Sequence, residues 1–228
     1  LSSDFYDWEF APKRPPEDQW SNFETAMIGH SLLADHDHHR LVRRVTAPAF
    51  SRNVVDEIQR RIEPDVKRLF DELGTPETFD YIDKIAAHIP FISITRMVGI
   101  PEKYWEEIKP VIENFTETWN PTISDERRQK AKDECNKAID ILKVVVKERR
   151  NSPKQNDFLS VLLKIEEENE KFDEGDIITL ILALVGAGAD TTLIGQQWTV
   201  YSLLKNRDQI QTALATPESF ANAFNEVS

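Results

Sequence analysis

Apolar positions recur at helical spacing along most of the chain, and the residues between these runs are helix stops. The pattern predicts a helix over residues 40–50 despite Pro48. A long helix over 53–73 follows, closed by Gly74 with Pro76 beyond. Residues 82–98 form the next, closed by Gly99, with Pro101 opening an amphipathic helix over 102–118. Asn120-Pro121 breaks the pattern, and Ser124 caps a helix reaching Arg150. Asn156 or Asp157 opens a short helix through Phe158, Val161, Leu162 and Ile165.

The most apolar segment comes next. Asp173 is a good N-cap, and Asp176 three residues later completes a capping-box start. The helix they open runs through Leu180, Leu184, Gly188 and Thr191 to Leu204, about thirty residues, well beyond the usual length. It is apolar nearly all round at its start, so it is expected to cross the centre of the domain. Two short helices over 207–215 and 217–228 close the chain. Pro12, Pro15 and Pro16 make residues 1–38 irregular, although Trp8, Phe10, Trp20 and Phe23 imply order. No strand-period stretch or repeat stands out, so the expected fold is all-α, one partial domain over 1–228 with non-bundle packing.

The chain has 228 residues and a net charge of −12. That acidity argues against a general nucleic-acid binder. A single cysteine, Cys135, excludes an internal disulfide or a multi-thiolate metal site. The apolar run 177–189 is too short to span a bilayer, which makes a cytoplasmic protein without a membrane partner the expectation.

Two segments carry chemistry. In the first, Ala187-Gly188-Ala189-Asp190-Thr191-Thr192, Gly186 and Gly188 sit inside a helix, each at a cost of about 1 kcal/mol relative to alanine. Ala187 and Thr191, four apart, share a face with Gly188 beside them, leaving a trough for a flat ligand. The threonine hydroxyls can bond back to the carbonyl four residues earlier, with a local widening of the helix. Asp190 is an acid among apolar neighbours and a candidate proton relay. The same small residues also suit a helix–helix crossing.

In the second, His39-Arg40-Leu41-Val42-Arg43-Arg44, His39 and Arg43 are four apart. An imidazole and a guanidinium on one helical face suit a pair of carboxylates. A solvated charged face, a metal site from His36, His38 and His39, or a phosphate contact through Arg40, Arg43, Arg44 and Arg52 are the other readings.

The two segments, in this order and about 150 residues apart, resemble the cytochrome P-450 (haem-thiolate monooxygenase) superfamily in its soluble, bacterial-type form. His39-x-x-x-Arg43 before Ala49-Phe50 is similar to the family's C helix. Ala187-Gly188-x-Asp190-Thr191-Thr192 is similar to its oxygen-activating I helix. Phe91-x-Ser93 through Val98-Gly99-Ile100-Pro101, Asn156-Asp157-Phe158-Leu159-Ser160, and the closing Phe224 to Ser228 also resemble family stretches.

The resemblance implies that 39–172 hold helices C to H, 173–205 the I helix, and 206–228 the J helix and start of K. Glu226 stands where the K-helix Glu-x-x-Arg begins, and the arginine would fall after Ser228. The family's β-sheet regions and haem-ligating cysteine loop are not in this sequence, so a metal ligand is expected downstream. Cys135, on an amphipathic helix, does not substitute.

The resemblance further implies a haem b cofactor and a reaction that inserts one oxygen atom of O2 into a small or medium apolar substrate. Electrons would come from a ferredoxin or flavodoxin. His39 and Arg43 would anchor haem propionates, Ala187 and Gly188 would wall the haem, and Thr191 and Asp190 would be catalytic, handling oxygen and protons. Leu33, Leu180, Ala183 and Leu184 would touch substrate, with 115–122 as a lid. The alternative is a helical module, with or without a bound small molecule, that turns nothing over.

Overall fold

The computed structural model describes residues 21–28, 40, 43–44, 46–120, 122–153, 155–168 and 172–227. Among these every regular element is helical. The helices are α1 (Asn22–Ile28), α2 (Arg52–Leu73), α3 (His88–Val98), α4 (Trp105–Phe115), α5 (Asp125–Arg150), α6 (Phe158–Glu168), α7 (Glu174–Lys205), α8 (Ile210–Ala213) and α9 (Pro217–Val227).

Local chemistry sets most of these ends. Gly74 and Gly99 close α2 and α3 with φ of 66° and 89°, backbone that costs a side chain strain but not glycine. The Ser124 hydroxyl accepts the Arg127 N–H at 3.2 Å. Asp173 and Asp176 form the reciprocal capping box, both bonds 3.1 Å. The Asp157 carboxylate accepts the Ser160 N–H at 2.9 Å and starts α6.

The helix expected over 82–98 is divided. Residues Ile82–Ala86 form a widened turn, in which the Ala87 N–H reaches back five residues to the Ile82 carbonyl. Pro90 explains the break. It has no N–H to donate, and its ring crowds the carbonyl of Ala86, four residues earlier. The helix expected over 102–118 likewise starts and ends in tighter turns, Glu102–Tyr104 and Thr116–Trp119.

The core gathers around α7, which at 1.5 Å per residue is about 48 Å long. Ile177, Ile178, Leu180, Ile181, Leu182, Val185 and Ala189 are buried in it. They meet Ile92, Ile94 and Val98 of α3, Leu142 and Val146 of α5, and Phe158, Leu159 and Leu162 of α6. Each such aliphatic side chain contributes about 1.5–3 kcal/mol by leaving water. The bilayer argument from residues 177–189 needs correction here. The full 32-residue helix is long and apolar enough to cross a membrane by length and composition alone. In this fold 56% of its most apolar stretch is buried inside the protein.

Cys135 belongs to this core. Burial, with a smaller push from Glu134, raises its thiol to about 12. Below the ordinary thiol value both folded and unfolded chains hold the proton, and the contribution to stability is intact. Above it the unfolded chain ionises first, so stability falls as pH climbs toward 12. Cys135→Ala should therefore lose less stability than the wild type between neutral pH and about pH 10, as read by paired denaturant melts. Equal losses would refute the burial effect.

Candidate functional site

The middle of α7 is buried on most sides and open on one. Ala187 and Thr191 are exposed there, Asp190 is half-buried, and Ala189 is in the core. The Thr191 hydroxyl donates to the Ala187 carbonyl at 2.7 Å, as its spacing predicts. The expected local widening is not present: α7 stays α-helical across this turn. A single back-bonded threonine is absorbed without loss of the helical ladder, and the widened turn of this fold lies instead at Ile82–Ala86.

Gly188 and Ala187 have different surroundings. A Cβ added to Gly188 would lie 3.1 Å from Ile94 Cδ1 on α3. The glycine therefore permits the α3–α7 crossing, while Ala187 faces outward. Gly188→Ala should gain about 1 kcal/mol of helix propensity and lose about 1–3 kcal/mol to overpacking. A net destabilisation near 1 kcal/mol follows, reversed when Ile94→Val removes the opposing methyl. Thermal melts of the two variants test this, and an Ile94→Val change that fails to rescue would contradict it.

The open face continues along the helix. Ile194, Trp198 and Tyr201 follow Thr191 at helical spacing and are each about half exposed. Trp198 and Tyr201 meet edge to face, centroids 5.8 Å apart. With Tyr81, Ile82 and Leu204 they line an apolar groove of about 740 Å³.

Arg40, Arg43, Arg44 and Thr46 are helical, and Arg43 and Arg44 are exposed. The turn that follows, Ala47–Phe50, is held against α6 by Phe50 and Phe158, centroids 5.8 Å apart. His39, Leu33 and the other histidines of that region lie outside the described residues. Of the pocket candidates on α7, Leu180 is buried in the core, and Ala183 and Leu184 are half-buried. Among the described residues no three His, Cys, Asp or Glu side chains gather as a metal site.

One centre was not expected from sequence. Arg149 near the end of α5 donates to the Asp157 carboxylate, to the Ser160 hydroxyl at 3.1 Å and to the Gly99 carbonyl at 2.7 Å. Arg149 and Asp157 are both buried. The pair joins the ends of α3 and α5 to the start of α6. It therefore unites the Val98-Gly99-Ile100-Pro101 and Asn156–Ser160 stretches, which sequence reading treats as separate.

The described residues thus form an all-helical fold around α7, with Ala187 and Thr191 open on one face. The family follows from comparison. The sequence model of the family described as Cytochrome P450 matches residues 5–215. The chain belongs to the cytochrome P450 family.

It is 26% identical over 250 residues to the epothilone C/D epoxidase of Sorangium cellulosum, covering 100% of this chain and 57% of that protein. It is 29% identical over 215 residues to the 6-deoxyerythronolide B hydroxylase of Saccharopolyspora erythraea, covering 93% of this chain and 50% of that protein. The solved structure of an epothilone B-bound cytochrome P450 superposes with a TM-score of 0.83 at 22% identity, over 99% of this chain and 57% of that one. The chain thus spans about half the length of the relatives it matches.

Proposed function

We propose that this chain is the oxygen-handling helical part of a haem-dependent monooxygenase acting on a small or medium apolar substrate. The observation that carries the reading is the exposure of Ala187 and Thr191 where the buried N-terminal half of α7 gives way to its open half, in a chain of this family. Haem, when bound through a thiolate from outside residues 1–228, supplies reductive activation of O2. The residues present suit that group. Ala187, with Gly188 beside it, offers a low backbone wall to a flat ring. His39, outside the described residues, and the exposed Arg43 have the donor chemistry that propionates take.

Thr191 holds a proton at Oγ1. Its bond to the Ala187 carbonyl fixes the hydroxyl's place while leaving its lone pairs free to accept. Asp190, half-buried on the same turn, moves protons between solvent and Thr191. The half-buried Ala183 and Leu184, with Leu180 and Leu33, shape the apolar pocket, and residues 115–122 form its lid. Electrons come from a ferredoxin or flavodoxin-type donor, which suits a cytoplasmic protein. Helices C to K map onto this chain as 39–172, 173–205 and 206–228. The two relatives, an epoxidase and a hydroxylase, support oxidation of an organic small molecule.

The test is the reduced carbon-monoxide difference spectrum of the full-length protein. The thiolate-type band is the expected result. A protein that binds no haem, or binds it without that band, would leave only the non-catalytic helical module.

A further inference from the structure

We infer that the junction of α2, α3 and α5 holds a binding site for a phosphate group, formed by the guanidinium groups of Arg61, Arg96 and Arg149 around one surface cavity.

The cavity measures about 460 Å³. Its charged lining is Arg61 of α2, Arg96 of α3, Arg149 of α5 and Asp157, and Gly99 to Pro101 with Gln155 complete the wall. Three positive charges thus stand beside one negative, in a chain whose net charge is −12. A local reversal of sign concentrates anions. None of the described lining residues belongs to α7, so the site stands whether or not the function proposed above does.

Each guanidinium is held in place before any ligand arrives. Arg96 donates to the Asp65 carboxylate through Nε at 2.6 Å and Nη2 at 3.1 Å, and to Glu102 at 3.0 Å. Its guanidinium also lies 4.7 Å from the centre of the Trp105 ring. Arg149, buried, is fixed by Asp157, Ser160 and the Gly99 carbonyl. Arg61 Nη2 donates to Glu57 at 3.3 Å. These bonds leave donors over. Among the described residues nothing accepts from Nη1 of Arg61, Nη1 of Arg96 or Nε of Arg149. A guanidinium carries its N–H groups in a rigid fork, so one edge serves a carboxylate of the protein while another serves a ligand. Groups already ordered lose little entropy on binding.

The donor set selects the ligand class. A carboxylate has two oxygens, and a single guanidinium fork satisfies them. Forks from three helices exceed that need and suit a tetrahedral oxyanion. A phosphomonoester carries a charge of about −1.5 to −2 near neutral pH, which matches the excess of positive charge in the lining. The volume falls in the range of small-molecule pockets, about 300–1,000 Å³, so the body of a small phosphomonoester fits as well as free phosphate does.

The test titrates inorganic phosphate and glycerol 3-phosphate separately into the full-length protein by calorimetry near neutral pH. Saturable binding of at least one is expected. A ligand that binds only the folded state also raises the melting temperature, here by about 3 °C at about ten times the dissociation constant. Arg61→Gln should weaken binding about tenfold, as for one lost charge-assisted hydrogen bond. It should melt like the wild type without ligand, because its one tie is to Glu57 on the same helix. Arg96→Lys keeps the charge, removes the fork and should weaken binding too.

Tighter binding of glycerol 3-phosphate would support the site with a phosphorylated small molecule as its occupant, and tighter binding of phosphate would support it with the free ion. No saturable heat from either ligand would overturn the site. So would binding that both variants leave unchanged, or a melting shift that chloride reproduces at equal ionic strength. If Arg96→Lys melts early, Arg61→Gln alone decides.

Discussion

Asp157→Ala is expected to destabilise the protein by about 3–5 kcal/mol, as for breaking a buried ion pair from one side. The cost does not measure the strength of the pair. It arises because Arg149 would remain buried with its charge unanswered. The Asp157 carboxylate also accepts the Ser160 N–H that begins α6, so the variant loses a helix cap as well. A denaturant midpoint shift at unchanged slope would report the loss. Replacing both partners, as Arg149→Met with Asp157→Leu, should recover much of it, because the uncompensated charge goes too. If the double variant is as unstable as the single one, the penalty lies in the cap and the Gly99 contact.

Gly99 reports on the same junction. Its φ of 89° already disfavours a side chain, and a Cβ there would overlap the Asp157 carboxylate. The glycine is therefore needed twice, for backbone conformation and for space. Sequence reading sees the first reason, since a glycine before a proline at a helix end is a local signal. The second comes from a residue 58 positions further on (157 − 99).

That contrast describes the whole fold. Caps at Ser124 and Asp173 and stops at Gly74 and Gly99 act over three or four residues, and the chain alone declares them. The break at Ala87 is local too, but its cause, Pro90, lies after it and reads at first as part of an apolar run. Docking of α1 on α5 joins residues more than 100 apart through polar groups that resemble an ordinary solvated face. The Arg149 centre is hidden for the same reason, because a basic residue in the last turn of a helix normally needs no partner beyond the dipole.

In the candidate site, spacing indicates that Ala187 and Thr191 share a face. It does not indicate which neighbour meets Gly188, and Ile94 supplies that answer. The exposed run of Ile194, Trp198 and Tyr201 is not legible in the chain, because apolar residues at helical spacing read alike whether their face is covered or open. Only the packing separates the covered half from the open one.

Thr191→Ala in the full-length, haem-loaded protein is expected to leave the haem spectrum unchanged and raise the share of electrons lost to hydrogen peroxide about tenfold. The argument starts from the hydroxyl's position. It is exposed and bonded to the carbonyl of Ala187, so its removal deletes a proton-bearing group from the open face without creating a cavity in the core. Stability should therefore change little, within about 0.5 kcal/mol, as for an exposed site.

Asp190→Asn separates the two roles. If the acid moves protons between solvent and the hydroxyl, the amide variant should slow turnover about 100-fold, the low end for a positioned proton donor. It should keep most electrons in product if the Thr191 hydroxyl is what directs them. Electron consumption, peroxide and product measured together distinguish these patterns. Product formation that stays fully coupled in Thr191→Ala would remove the hydroxyl from the mechanism, and the Ala187–Thr191 turn would then be a wall without a proton function.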